Sequence, residues 1–287
     1  MVSENVYFCK TLSVSFYSSL LFCFPMNLHL VDKNALVCGS TQGIGRAAAV
    51  ELALLGATVT LMARNEAALQ TTVALLDTSK GQQHSYIVAD FSRSELIQKA
   101  IADQAERFAT FHILVNNTGG PSGGPLIEAA AGQLVQTFEM HLLNNQLLTQ
   151  AVFPAMKKAG FGRIVNIIST SVKQPIVGLG VSNTVRWAVA SWAKTLSLEL
   201  GQFGITVNNV LPGYTKTARL EAVVNMRAQA TQQTTDEIAA KLEAEIPSGR
   251  FVEAEEVAAA VAFLCSPAAA SINGINLPVD GGRTASL

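Results

Sequence analysis

No cysteine of this chain stands in a C-x-x-C pair or in a His/Cys cluster, and no H-E-x-x-H or comparable spacing occurs. Cys9, Cys23, Cys38 and Cys265 are therefore expected to be reduced thiols of a cytoplasmic protein, two of them buried, and not metal ligands or a disulfide framework. Charge of one sign is lacking too: 20 Lys and Arg oppose 21 Asp and Glu, for a net −1. There is no basic block and no interleaving of aromatics with Lys or Arg, which argues against nucleic acid as a partner. The most apolar run, TLSVSFYSSLLFCFP at 11–25, falls short of the roughly 20 residues a membrane helix needs. It ends in Phe24-Pro25, unlike the small-residue cleavage site of a signal peptide. Residues 1–25 are expected to be an extension, or a misassigned start upstream of Met26, with no part in the fold; a membrane tether is the competing reading. No Pro/Ser-rich linker and no repeat of 20–50 residues divides the rest, so 26–287 is expected to be one domain.

What is present is an alternation. Short apolar runs at 35–38, 57–62, 85–89, 113–115, 164–168, 206–210 and 275–279 are separated by longer segments with apolar spacing near 3.6, among them 95–108, 134–158, 184–202 and 255–264. Strands alternating with helices predict an α/β protein, a doubly wound parallel sheet with helices on both faces. The first run feeds directly into Gly39-Ser40-Thr41-Gln42-Gly43-Ile44-Gly45 and then a helix from Arg46. A strand, a glycine turn and a helix N-terminus aim free backbone N–H groups and a positive dipole end at one point, which suits a pyrophosphate. The spacing is G-x-x-x-G-x-G, and a plain strand-to-helix connection would also carry glycines, so the neighbouring loops must decide.

Those loops are informative. The second run ends Ala63-Arg64-Asn65. In dinucleotide folds an acidic residue here bonds the ribose 2′-hydroxyl, whereas an arginine suits a 2′-phosphate; Arg64 favours NADP(H) over NAD(H). An arginine in the first turn of a surface helix is the bland alternative. The third run ends in Asp90, and the fourth in Asn116-Asn117-Thr118-Gly119.

Taken together the chain resembles the short-chain dehydrogenases/reductases, and among them the bacterial 3-oxoacyl-carrier-protein reductases, over about residues 30–283. The T-G-x-x-x-G-x-G pattern matches 38–45 with Cys38 in place of Thr, N-N-A-G matches 116–119, and P-G-x-x-x-T matches Pro212-Gly213-Tyr214-Thr215-Lys216-Thr217. The closing strand matches 274–282. The resemblance implies a Rossmann-like sheet in strand order 3-2-1-4-5-6-7. It implies a nicotinamide cofactor held by Gly39 to Gly45, Asp90 at the adenine, Asn116, Thr118 and Gly119, and Pro212, Gly213, Thr215 and Thr217 at the nicotinamide amide.

The family's chemistry departs at its centre. Members use Asn, Ser and a Y-x-x-x-K, in which Tyr handles the proton at the carbonyl oxygen and Lys binds the ribose and lowers the Tyr pKa. The only tyrosines are Tyr7, Tyr17, Tyr86 and Tyr214, followed four residues later by Thr11, Leu21, Asp90 and Ala218. Alignment outward from 164–168 puts Ser169 at the Ser, Ser182 at the Tyr, Arg186 at the Lys and His141 at the Asn position. One expectation is a reductase in which Arg186 binds ribose hydroxyls, Ser169 and Ser182 hold the carbonyl oxygen, and His141, with an ordinary pKa of about 6.5, supplies the proton. Such a site favours reduction and electron-poor carbonyls, 1,2-dicarbonyls or activated ketones. The other expectation is a non-catalytic NADP(H)-binding sensor or partner subunit. In that case Ser182 would be an N-cap, Arg186 a partner of surface carboxylates and His141 a satisfied core histidine.

Two segments bear on substrate. The loop 119–126, GGPSGGPL, is expected to form a pocket wall, and 218–250, helical over 235–245, a substrate lid. By resemblance the helices 132–158 and 182–202 pair subunits into a homodimer or homotetramer.

Overall fold

All seven apolar runs form parallel strands in a computed structural model that describes residues 26–286. They are β1 (Asn34–Cys38), β2 (Thr58–Ala63), β3 (Ser85–Val88), β4 (Ile113–Asn116), β5 (Gly162–Ile167), β6 (Ile205–Pro212) and β7 (Asn276–Val279), in the order 3-2-1-4-5-6-7. The helices are α1 (Gly43–Leu54), α2 (Glu66–Val73), α3 (Ser94–Asp103), α4 (Ala105–Phe108), α5 (Ala131–Phe138), α6 (Asn144–Ala159), α7 (Gly180–Leu200), α8 (Ala218–Thr231), α9 (Thr235–Ala244) and α10 (Ala254–Cys265).

Both faces of the sheet are covered, which is why the strands read as continuous apolar runs. On β1 the alternation of side chains divides them between two cores. Ala35 and Val37 pack with Leu52 of α1 and Val261 of α10; Leu36 and Cys38 pack with Ile97 of α3 and Val152 of α6. Cys38 and Cys265 are free, buried thiols, and burial pushes Cys265 up to about 12 and Cys38 further in the same direction. Cys9, Cys23 and the readings made of residues 1–25 lie outside the described residues. Among the described residues, no helix is long and apolar enough to cross a membrane.

Three helical expectations are redrawn. The segment 95–108 breaks at Gln104 into α3 and α4. The segment 134–158 is interrupted by one π-helical turn, Glu139–Leu143, between α5 and α6. The segment 218–250, expected to be a lid, holds a second helix, α8, that apolar periodicity did not reveal, because its buried positions are few: Leu220, Val224 and Ala228 pack with Ile238 and Leu242 of α9 in a small core of their own.

Across the right half of the sheet runs a ladder of asparagines in strand register. Asn116 Nδ2 donates to Asn166 Oδ1 (2.8 Å), Asn166 Nδ2 to Asn209 Oδ1 (2.9 Å) and Asn209 Nδ2 to Asn276 Oδ1 (2.8 Å). The two middle amides, Asn166 and Asn209, both donate and accept along the row, which offsets their burial, while Asn116 Oδ1 at its inner end has no partner.

Candidate active site

The chain reverses direction across the sheet between β1 and β4, and a cavity of about 590 Å³ opens at the carboxyl ends of these strands. An open α/β sheet places its ligand at this switch point, and the volume is that of a small-molecule site. The glycine turn forms its floor. Gly39 has φ +57°, and a Cβ there would lie 2.6 Å from the Asn117 carbonyl oxygen; a Cβ on Gly45 would fall onto the Gly39 carbonyl. No side chain larger than hydrogen allows both the left-handed turn and the close packing of α1 on β1 and the β4 loop.

Gly39, Thr41, Gln42, Gly43 and Ile44 line the cavity. Ser40 and Gly45 do not. Ser40 is buried and its hydroxyl oxygen accepts the Met62 N–H (3.1 Å), tying the turn to β2; Gly45 is a packing glycine. Arg64 lies on the wall in the β2–α2 loop, ahead of the Asn65 N-cap and so outside the helix. Beside it, Asp90 accepts the backbone N–H (2.9 Å) and hydroxyl (2.8 Å) of Ser92, and the Ser92 N–H above all holds its carboxyl below the ordinary range. Thr118, Gly119, Pro212, Gly213, Thr215 and Thr217 also face the cavity.

Asn116 does not face it: its side chain is buried and its Nδ2 is engaged in the asparagine ladder. The residue on the wall is its neighbour Asn117, whose Nδ2 donates to the Gly39 carbonyl (3.1 Å) and so clamps the glycine turn to the end of β4. The doublet was legible; which member turns outward is decided by strand alternation.

Ser169, Ser182 and Arg186 are brought together on the wall. Ser169 caps the short turn Thr170–Val172, accepting the Ser171 N–H (3.1 Å), so its own proton is free to donate. Ser182 lies inside the first turn of α7, which begins at Gly180 with Leu179 as its cap residue. It is thus no N-cap, and its hydroxyl has no partner among the described residues. Asn183 holds the preceding loop by donating to the Ile176 carbonyl (2.9 Å).

Arg186 is 8 % exposed; Nη1 donates to the Ile167 carbonyl (2.9 Å) and Nε has no partner. No carboxylate pairs with it among the described residues. Burial, and then the charge of Arg219, pull its pKa down to about 10, which leaves it cationic at neutral pH.

His141 is not brought to the cavity. The π-helical turn carries its ring inward, 2 % exposed, where Nδ1 lies 2.6 Å from the Thr118 hydroxyl and Nε2 has no partner. Burial first, then the charge of Arg186, hold its pKa well below the ordinary histidine value. A proton donor with a pKa near 6.5 is therefore not what this residue provides, and it makes no hydrogen bond to Ser169 or Ser182.

The cavity also takes Tyr214 and Met226, together with Arg219, Arg227 and Arg283, which the sequence did not single out. Arg219 donates to the Pro121 carbonyl (2.8 Å), joining α8 to the β4–α5 loop, and Arg283 pairs with Glu245 (2.8 Å) over the Tyr214 ring. A signal for Arg219 existed in its position two residues after the P-G-x-x-x-T segment.

A doubly wound parallel sheet with a glycine turn and an open cavity at its switch point defines a Rossmann-type nucleotide-binding architecture. Residues 39–284 match the family model described as enoyl-(acyl carrier protein) reductase. The 3-oxoacyl-[acyl-carrier-protein] reductase of Haemophilus influenzae is 34% identical over 251 residues, 87% of this chain and 97% of that protein. The structure of actinorhodin polyketide ketoreductase with NADPH superposes with a TM-score of 0.82 at 35% identity, over 88% of this chain and 98% of that one. L-Sorbose reductase from Gluconobacter frateurii, complexed with NADPH and L-sorbose, gives 0.84 at 28% identity, over 91% and 100%. The chain belongs to the short-chain dehydrogenase/reductase family.

Proposed function

We propose that this protein is an NADP(H)-dependent reductase of a small activated carbonyl compound, a ketone or 1,2-dicarbonyl. The observation that carries the reading is Arg186. An unpaired guanidinium in a protein interior costs several kcal/mol, and this one has no carboxylate, an orphaned Nε and an open cavity before it. Such a cost is sustained where a ligand rich in oxygen completes the arrangement, and nicotinamide ribose hydroxyls at the family's lysine position meet that need.

The rest of the wall fits the same cofactor. The Gly39–Gly45 turn and the α1 N-terminus suit its pyrophosphate, Asp90 its adenine end and Arg64 a 2′-phosphate. The relatives with bound NADPH support the phosphorylated form. Bound there, the reduced nicotinamide supplies a hydride to a carbonyl carbon. Ser169 and Ser182 donate hydrogen bonds to the carbonyl oxygen as it gains charge. Arg186 lowers the energy of that charge through its fixed positive field, as donors oriented in advance do. The phenol on the wall, Tyr214, is engaged by Glu245 and Arg283, so the proton comes from water at the open mouth through Ser182. His141 is a positioning residue that holds Thr118. A site without a strong acid favours carbonyls that are already electron-poor.

Residues 26–287 form the single domain of this reading, with 218–250 as the substrate lid over the cavity. Exposed Val135, Phe138 and Leu143 before α6, and Trp187 and Leu198 on α7, support association through these helices into a homodimer or homotetramer.

The test is NADPH consumption with matched panels of simple ketones and 1,2-dicarbonyls, for the wild type and for Arg186→Ala. Faster turnover of the dicarbonyls, lost in the variant, is the expected result. Tight NADPH binding with no turnover on either panel would instead make the protein a non-catalytic NADP(H) binder.

A further inference from the structure

The charges around the cavity are unevenly placed. Its wall carries five arginines, Arg64, Arg186, Arg219, Arg227 and Arg283, no lysine, and one carboxylate, Asp90. The chain as a whole is balanced at −1, so this is a local excess. Arg64 and Asp90 stand together at the β2 and β3 end. Arg283 is neutralised by Glu245. Arg186, Arg219 and Arg227 remain, all on the opposite half and none paired with a carboxylate among the described residues.

Arg219, Val223, Met226 and Arg227 recur at helical spacing, so one face of α8 turns toward the cavity. That face meets the loop after β4. The Arg219 guanidinium lies against Gly120 and donates to the Pro121 carbonyl, and Met226 packs on Gly123. Thr217 packs on Gly43 of the glycine turn that suits the pyrophosphate, whereas Arg219 lies against Gly120 further along the wall. The Arg227 guanidinium is 6.0 Å from the centre of the Tyr214 ring. Behind both stands buried Arg186, with Nε unpartnered. A neutral ketone would leave these charges without an anionic partner from the substrate.

We infer that the substrate is an anionic ketone whose oxyanion, a carboxylate or a phosphate, is held by Arg219 and Arg227 on the lid helix α8 while its carbonyl lies at Ser169 and Ser182. The planar fork of arginine matches either oxyanion through two parallel hydrogen bonds, which an ammonium cannot do. The lid thereby selects substrate by charge. This rests on the reductase reading for the carbonyl, but not for the anion.

The experiment uses matched pairs: 2-oxo-4-methylpentanoate against its methyl ester, and dihydroxyacetone phosphate against dihydroxyacetone. For the wild-type protein with NADPH, kcat/KM is expected to favour one anionic member over its neutral partner by on the order of 30- to 100-fold. Which pair shows the preference distinguishes carboxylate from phosphate. Arg219→Met is expected to collapse that ratio, Arg219→Lys to restore part of it, and the Kd for NADPH by fluorescence to stay put in both. Calorimetric titration of the NADP⁺-loaded protein with the same two anions reads binding without turnover. Anion binding that is lost in Arg219→Met, with no turnover of any ketone, sinks the reductase reading and keeps the anion site. Equal kcat/KM within both pairs, or no binding of either anion, overturns the anion site and leaves the reductase reading untouched. An Arg219→Met protein with weakened NADPH binding makes Arg219 a cofactor ligand and also overturns it.

Discussion

The Thr118 hydroxyl lies 2.6 Å from His141 Nδ1, across the junction between the end of β4 and the π-helical turn. This contact engages one ring nitrogen of His141 with a residue of the cavity wall, while the ring itself is buried away from the cavity. Thr118→Val would leave a buried imidazole nitrogen without its partner. A loss of about 1–3 kcal/mol in unfolding free energy is expected, read by urea denaturation monitored by circular dichroism.

The same histidine sets a pH signature on stability. Its folded pKa is held well below 6.5, so the unfolded chain binds more protons between the two values. Stability is therefore full above about pH 6.5 and falls as pH drops toward the folded pKa, by at most about 1.4 kcal/mol per unit. His112 is depressed as well, by burial and Lys33, so the measurement is a difference. Denaturant midpoints of the wild type are expected to fall more steeply between pH 6.5 and 5 than those of His141→Gln.

Arg186 predicts opposite movements in stability and rate. Arg186→Met removes a buried, unpaired charge, so the melting temperature is expected to hold or rise, while kcat falls about 100-fold or more as the field on the carbonyl oxygen is lost. With the guanidinium pKa near 10, the wild-type rate is expected to stay level from pH 6.5 to 8.5 and decline as pH rises through about 10. A rate that instead titrates near pH 6.5 and loses that step in His141→Gln would restore the histidine as the acid.

Arg64 stands on the cavity wall with no salt-bridge partner among the described residues. Arg64→Ala is expected to weaken NADPH binding about tenfold and NADH binding by less than about threefold. Titration of each cofactor against protein fluorescence measures both.

The asparagine ladder links the site to the far edge of the sheet. Asn166→Leu would strip Asn116 Nδ2 of its acceptor and Asn209 Oδ1 of its donor at once. A cost of about 2–4 kcal/mol is expected, measured by chemical denaturation.

The sequence by itself determined the sheet. Apolar runs of strand length alternating with helical periodicity leave few topologies open, and the Gly39–Gly45 turn marks the switch point because only glycine tolerates that backbone. Arg64, Asp90, Ser169, Ser182 and Arg186 were legible as well, since each sits at a fixed offset from the end of a strand. Tertiary structure alone decided four matters. Asn116 turns inward and Asn117 outward because strand neighbours face opposite sides of a sheet. Ser40 closes the turn on β2 and never meets the cavity. One π-helical turn rotates His141 from the expected acid position into the core, where burial keeps it neutral. The arginines of α8, whose spacing names no chemistry, acquire a role once the lid packs against the β4–α5 loop. Backbone periodicity is local and survives in a linear text; the direction of a side chain and the charge it meets depend on residues far away along the chain.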